Sequence, residues 1–360
     1  MAYSVAVPVL PDYATRFHAT PTTIGLLFAS FGVALLALSV PMGALSDRLG
    51  RKGLMIAALA LLAGTTLLFA FAQSLPMLFI ARMLQGAADA MTWVVGFALI
   101  ADLYGESERG RAMGLAMAGS TLGVIIGPTL GGWLYEIGGM RLPFFVVACL
   151  AALDLVVFAI VTPRTKATGT TGSMRDVLSV RPLAMCALVV IAGAATITML
   201  EPVIPLLFES RFGLGPGAIG TLFGLAALSS GAMQPFYGHL SDRWGGRRLM
   251  LAGLLGSAVM LPFLNLATGF GSAALVMMPL WMVFGMILTP SLAYFAQVAS
   301  EAGIEAYGVV YGVYNVAWAV GLMCGPAIGG FLFERIGFGP LTMGWSAMLV
   351  AACLIFAKMR

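Results

Sequence analysis

A chain of 360 residues that is 60% hydrophobic and only 9% charged cannot hide its apolar surface in a water-soluble core, which excludes soluble enzymes and soluble nucleic-acid modules of this length. The mean hydropathy of +0.99 assigns it to polytopic membrane proteins. The net charge of +4 then concerns membrane orientation before any polyanionic partner.

A helical span needs about 20 apolar residues, and roughly 30 with its loop, so the length admits about twelve. The apolar segments, such as Ile24 to Leu45 and Gly53 to Ala72, are continuous rather than alternating, which predicts α-helices and not barrel strands. In chain order the spans fall at 1–11, 24–45, 53–72, 76–100, 112–135, 143–161, 182–208, 218–240, 249–267, 273–297, 307–333 and 339–357. The fold class is all-α, with twelve transmembrane helices. One side of the membrane carries Arg48, Arg51, Lys52, Arg109, Arg111, Arg164, Lys166, Arg175, Arg181, Arg243, Arg247, Arg248, Lys358 and Arg360. The other carries Arg16, Arg141, Arg211 and Arg335, and Arg82 lies inside span 4. That asymmetry places the first side, with the C-terminus, in the cytoplasm.

The stretch 162–181, rich in Thr, Gly, Lys and Arg, reads as a cytoplasmic linker between a six-helix bundle at 1–161 and another at 182–360. The bundles repeat in parallel. Pro8-Val-Leu-Pro11 recurs as Pro202-Val-Ile-Pro205, and Pro41 as Pro235. The run Gly43-Ala-Leu-Ser-Asp47-Arg48-Leu-Gly50-Arg51-Lys52 recurs as Gly238-His-Leu-Ser-Asp242-Arg243-Trp-Gly245-Gly-Arg247-Arg248. Gly127-Pro128-x-x-Gly131-Gly132 recurs as Gly325-Pro326-x-x-Gly329-Gly330. The order and the slowly drifting offset mark a duplication, and parallel repeats are a transporter architecture with its site between the halves. By comparison with span 7, the first span is about 11 residues short, too short to cross about 30 Å of hydrocarbon. This predicts a truncated first helix, with a start upstream of Met1 or a shortened form of the protein.

At these motifs the sequence resembles the major facilitator superfamily, over the whole chain. Its marks are the GxxxDRxGRR-type loop after spans 2 and 8, an arginine in span 4 within Arg82-Met-Leu-Gln85-Gly86, and the glycine-proline motif in spans 5 and 11. Within it the chain resembles drug:proton antiporters, and most the bacterial relatives of the vesicular amine transporters. The residues that carry this are Met199-Leu200-Glu201-Pro202-Val203-Ile204-Pro205, the run Ala81 to Ala88, Leu153-Asp154, and Tyr311-Gly312-Val313-Tyr314-Asn315-Val316-Ala317. The resemblance implies a monomeric exporter in a bacterial inner (plasma) membrane, exchanging protons for an amphipathic or cationic drug or amine by alternating access. It also implies that the glycine-proline motif (Gly127, Pro128, Gly131, Gly132, Gly325, Pro326) favours export over import.

A carboxylate at the bilayer centre costs about 2.5–3.5 kcal/mol on insertion scales, so acids within spans persist when used or paired. Asp89, Asp154 and Glu201 are the three, and Arg82 is the one base. Desolvation disfavours the charged form of any carboxyl, which is the physics of exchanging a proton for a cation. Glu201, just before a proline pair that removes backbone donors, is the leading candidate; its alternative is a carboxyl hydrogen-bonded between helices. Asp89 shares a helical face with Arg82, seven residues away. Asp154 suits a coupling role or a structural pairing equally. By resemblance Arg82 is the base partner of a proton relay; otherwise it braces two helices. Asn315 stands where amine transporters typically carry an aspartate, and an amide accepts hydrogen bonds from a substrate but carries no proton. Tyr294, Gln297, Tyr311, Tyr314 and Trp318 form a candidate cation-accepting wall, since aromatic faces attract cations.

Asp47 and Asp242, beside Arg48, Arg51, Arg243 and Arg247, are candidate cytoplasmic gate pairs. Lys52 and Arg248 read as solvated charge. The four cysteines lie in apolar runs without ligand spacing, and the two histidines, His18 and His239, supply no nucleophile-base or metal constellation. The sequence therefore implies no enzyme, cofactor or metal. The competing transport reading is an exporter of neutral sugars or other metabolites, in which Glu201 would bind a hydroxyl.

Overall fold

The computed structural model describes residues 1–163, 179–303 and 307–358, with some side chains within these ranges, among them those of Asp47, Arg109 and Tyr311, outside the described set. Most of the expected linker, with Arg164, Lys166 and Arg175, lies outside it too. A 3₁₀ turn at Ser4–Ala6 leads into α1 (Leu10–Thr15), and eleven longer helices follow. The first half continues with α2 (Pro21–Leu49), α3 (Arg51–Ala70), α4 (Leu75–Leu103), α5 (Glu106–Gly138) and α6 (Arg141–Val161). The second comprises α7 (Arg181–Phe212), α8 (Pro216–Trp244), α9 (Gly246–Met260, extended by a 3₁₀ segment to Leu266), α10 (Phe270–Glu301), α11 (Tyr307–Ile336) and α12 (Phe338–Lys358). Each of α2 to α12 contains a stretch long and apolar enough to cross a membrane. The first segment, as its length requires, does not.

Local chemistry sets the boundaries. Pro21 opens α2 and Pro216 opens α8, at the position where a missing N–H costs nothing. The repeated charged loop turns at Gly50 and Gly245, both at φ +85°, a left-handed conformation that side chains with a Cβ resist. Helices α2, α8 and α10 run several residues past the expected apolar limits, because backbone bonding continues into the polar interface. Large side chains such as Ile137, Ile160 and Leu275 are about 77% exposed, which is the lipid-facing surface of a membrane protein.

The two halves meet along α2 with α11 and along α5 with α8. Both seams are backbone on backbone. A Cβ on Gly330 would stand 2.9 Å from the Cα of Gly25, and one on Gly132 would stand 2.9 Å from the Cα of Gly217. Further along, Gly220 abuts the Pro128 carbonyl, and Gly32 abuts Leu322 and Met323. These contacts occupy the membrane half nearer the face that carries few Lys and Arg. Toward the charge-rich face the described helices diverge: no described residue approaches Gly114, Gly119 or Gly238, and Leu115 and Phe236 are more than half exposed. The molecule is closed on its charge-poor face and splayed on its charge-rich one.

Gly330→Val is expected to destabilise this closed arrangement by about 1–3 kcal/mol, since neither backbone can yield to an inserted side chain. Gly344→Val on α12, where nothing lies within 4 Å, is the matched control, and thermal unfolding in detergent distinguishes the two.

Candidate functional site

Helix α4 carries Arg82, Gln85 and Asp89 at i, i+3 and i+7, which stacks them on one face. Arg82 is fully buried. Its Nη1 donates to Gln85 Oε1 at 2.7 Å, and Gln85 Nε2 in turn donates to the Ala2 carbonyl at 3.1 Å. The guanidinium lies 4.6 Å from the ring centre of Tyr3, 4.9 Å from Phe31 and 5.1 Å from Phe28. Three π-faces replace part of the hydration that a buried cation loses. Its Nε and Nη2 have no acceptor among the described residues.

Tyr3 joins this group to the opposite half. Its ring packs on Phe31 at 4.8 Å and its hydroxyl donates to Glu201 Oε2 on α7. Glu201 is 8% exposed, within the buried run from Thr198 to Pro205. Pro202 and Pro205 lack N–H groups, so the carbonyls of Thr198 and Glu201 lose their helical donors. The path from Arg82 through Tyr3 to Glu201 therefore crosses the interface between the halves. Trp318 of α11 joins it, packing with Tyr3 against the cluster of Phe31, Leu35, Ala90, Ala319 and Leu322. Asp89, two turns from Arg82, is half-buried beside the Trp93 indole.

Other expected residues fall elsewhere. Asp154 is exposed on the outer surface of α6, with no polar partner among the described residues. Gln297 is exposed near the end of α10, and its amide donates to Glu301 at 2.8 Å. Tyr294 lies against Gly246 at the turn between α8 and α9. Neither belongs to the central group, because α10 turns that face toward the charge-rich side. Tyr314 sits within 3.1 Å of Ser291 Oγ and edge-on to Phe295, packing inside its own half, while Asn315 is half-buried beside it. The side chain of Tyr311 lies outside the described residues.

The charged loops also differ from expectation. Arg51 is 5% exposed; its Nε donates to Asp102 of α4, and its Nη1 to Ser46 Oγ at 2.9 Å. The expected partner, Asp47, has a side chain outside the described residues. Arg247 reaches the last carbonyls of α12, donating to Phe356 at 2.8 Å and Ala357 at 3.2 Å. Cations at a helix C-terminus are favoured by the exposed carbonyls. Lys52, expected to be solvated, donates to the Thr162 carbonyl at the end of α6. Arg48, Asp242 and Arg243 are exposed on the charge-rich face. In the glycine-proline motifs, Gly127 and Gly131 pack against Ser4 and Val5, Gly132 against α8, and Gly325 against Ala195 and Thr198 of α7.

Two apolar grooves of about 370 Å³ and 390 Å³ open on the seams, the first beside Leu26, Val33 and Met323, the second beside Ile125, Trp133 and Leu228. Both face lipid, and neither includes Glu201 or Arg82.

The profile of the Major Facilitator Superfamily matches residues 1–197 and again 183–359. The chain belongs to the major facilitator superfamily. It is thus a membrane transporter and not an enzyme. Among sequence relatives, a probable vesicular acetylcholine transporter-B of Danio rerio is 30% identical, over 96% of this chain and 73% of its own length. The human MFS-type transporter SLC18B1 is 26% identical over 94% and 78%, and the synaptic vesicular amine transporter of Mus musculus is 30% identical over 88% and 62%. Among solved structures, a bacterial homolog of the human lysosomal transporter Spinster, in an inward-facing and occupied conformation, aligns with a TM-score of 0.82 at 15% identity, covering 99% of this chain and 92% of the other. The human organic anion transporter MFSD10 aligns at 0.71 and 18% identity, over 99% and 95%.

Tyr3, Gln85 and Asp102 were not singled out by sequence reasoning. Asp102 lies beyond the apolar end of span 4 and looks like interfacial charge; its one signal is an acid facing the arginine-rich loop across a helix hairpin. Arg51→Ala removes the cation from a buried ion pair with Asp102 and is expected to destabilise the transporter by about 3–5 kcal/mol. Arg48→Ala, at an exposed position, should stay within about 0.5 kcal/mol. Unfolding transitions of the purified variants check both.

Proposed function

We propose that this superfamily member is a proton-coupled antiporter that exports an amphipathic amine or cationic drug by alternating access. The observation that carries this reading is the buried carboxylate of Glu201, held by Tyr3 where the two halves meet. In hydrocarbon such a group needs one positive partner at a time, so a proton and an organic ammonium compete for it. Exchange follows from that competition. Arg82 stays charged under all working conditions, so it keeps the local potential from trapping a cation, and Asp89 extends the acidic face toward the splayed side. Asn315 carries no proton, which leaves Glu201, with Asp89, as the carrier. The rings of Tyr3, Phe31 and Trp318 supply faces for an apolar cation.

The similarity to proteins named as vesicular amine and acetylcholine transporters supports an amine cargo. The charge bias of the loops supports a cytoplasmic splayed face, with the C-terminus on that side, and the resemblance to bacterial antiporters supports an inner (plasma) membrane. Asp154, on the lipid-facing surface, takes no part in coupling.

The test is uptake of an organic cation into proteoliposomes, driven by an imposed pH gradient. Losing a charge-assisted bond is worth about 1.5–3 kcal/mol, so Glu201→Gln should slow coupled uptake by about tenfold or more. Asp154→Asn should stay within about twofold of the parent. Wild-type rates in Glu201→Gln would overturn the mechanism, and faster movement of neutral sugars than of cations would favour the sugar or metabolite reading.

A further inference from the structure

Both copies of the glycine-proline motif run on to an acid. Four residues beyond its last glycine each copy carries a glutamate, giving Gly127-Pro128-x-x-Gly131-Gly132-x-x-x-Glu136 and Gly325-Pro326-x-x-Gly329-Gly330-x-x-x-Glu334. A spacing of four puts each acid on the same face as the glycine that touches the opposite half. Each is the third residue from the end of its helix, α5 or α11, on the charge-poor face.

Both carboxylates cross the interface to the same place. Glu136 Oε1 accepts from the Gly217 N–H at 2.9 Å, and Glu334 Oε2 accepts from the Thr22 N–H at 2.9 Å. Gly217 is the second residue of α8 and Thr22 the second of α2. The first residue is proline in both helices, so this is the first N–H that the helix presents, and no intrahelical acceptor exists for it. Helix α8 has no side-chain cap of its own; Glu136 is its cap, supplied from the other half. The cradle is built for a carboxylate: a Cβ on Gly217 would collide with that of Glu136, and one on Gly215 would stand 2.9 Å from its Oε1. At the second copy, the Thr20 and Thr22 side chains lie beside Glu334, and Arg335 is the neighbouring cation.

We propose that Glu136 and Glu334 are a two-point latch, each capping a helix of the opposite half, that holds the charge-poor face closed. The face opens only when both carboxylates leave their helix N-termini, so the pair sets how often the transporter visits its other conformation. Neither acid touches Glu201, and the latch acts on any cargo. It rests on alternation between two conformations and not on the identity of the substrate.

The experiment reads conformation directly. Spin labels at Ile137→Cys and Ile336→Cys, in a chain whose four native cysteines are replaced, report the distance across the charge-poor face in nanodiscs by pulsed electron resonance. An anion at a helix N-terminus typically shifts an equilibrium by about two- to fivefold, so Glu136→Ala and Glu334→Ala should each raise the ratio of separated to closed molecules by about that factor, and the double variant by about the product. Glu108→Ala, at the other end of α5, should leave the distribution unchanged. Gly217→Ala keeps Glu136 but fills its cradle, and provides the independent check. It should separate the labels as Glu136→Ala does, and combining the two should add little. Unchanged distances in either single glutamate variant, or full additivity of Gly217→Ala with Glu136→Ala, would overturn the latch.

Discussion

Hydrocarbon offers no hydrogen-bond partner, and that constraint arranges everything else in this molecule. Apolar side chains have no reason to prefer a protein interior over lipid, so close contact between the halves comes from backbone packing. The glycines at Gly25, Gly330, Gly132 and Gly217 let α2 approach α11 and α5 approach α8 without side chains between them. The same constraint drives polar groups away from lipid and toward the interface between the halves, which is where a transporter handles its cargo.

The polar group at that interface is small and internally coupled. Arg82 would be costly in isolation, and the structure surrounds it with three aromatic rings and one amide. Glu201 would be equally costly, and it is satisfied by Tyr3, which also stacks against the Arg82 environment. One tyrosine therefore links the cation of one half to the acid of the other. The exchange proposed for Glu201 would act directly on the packing between the halves, as coupling of chemistry to motion requires.

The ends of the helices divide the work. On the charge-rich face Arg51 and Arg247 bond inside their own halves, to Asp102 and to the carbonyls of α12. These bonds stiffen each bundle. On the charge-poor face the polar contacts of α5 and α11 cross between bundles, including Thr129 to the Gly220 carbonyl and Trp133 to Thr221. The observed conformation, closed on one face and open on the other, follows from that asymmetry.

Hydropathy, repeat and charge bias were readable along the chain because they are sums over residues: twenty apolar positions make a span whatever surrounds them, and a duplicated motif keeps its order. The cost of burying Glu201 and Arg82 was readable for the same reason, since a charge inside an apolar run is expensive before any partner is known. The partners were not readable. Tyr3 lies in the short first span at 1–11, where no charge marks it out, and only folding brings it 198 positions along the chain to Glu201. Asp154 and Glu201 look alike in sequence, each an acid in a span, yet one faces lipid and the other the opposite half. Gln297 and Tyr294 likewise share a helix with the core but not its face. Span, order and cost belong to the sequence; which face of each helix meets which neighbour belongs to the tertiary structure. In a chain apolar on every side, helical periodicity carries too little contrast to decide it.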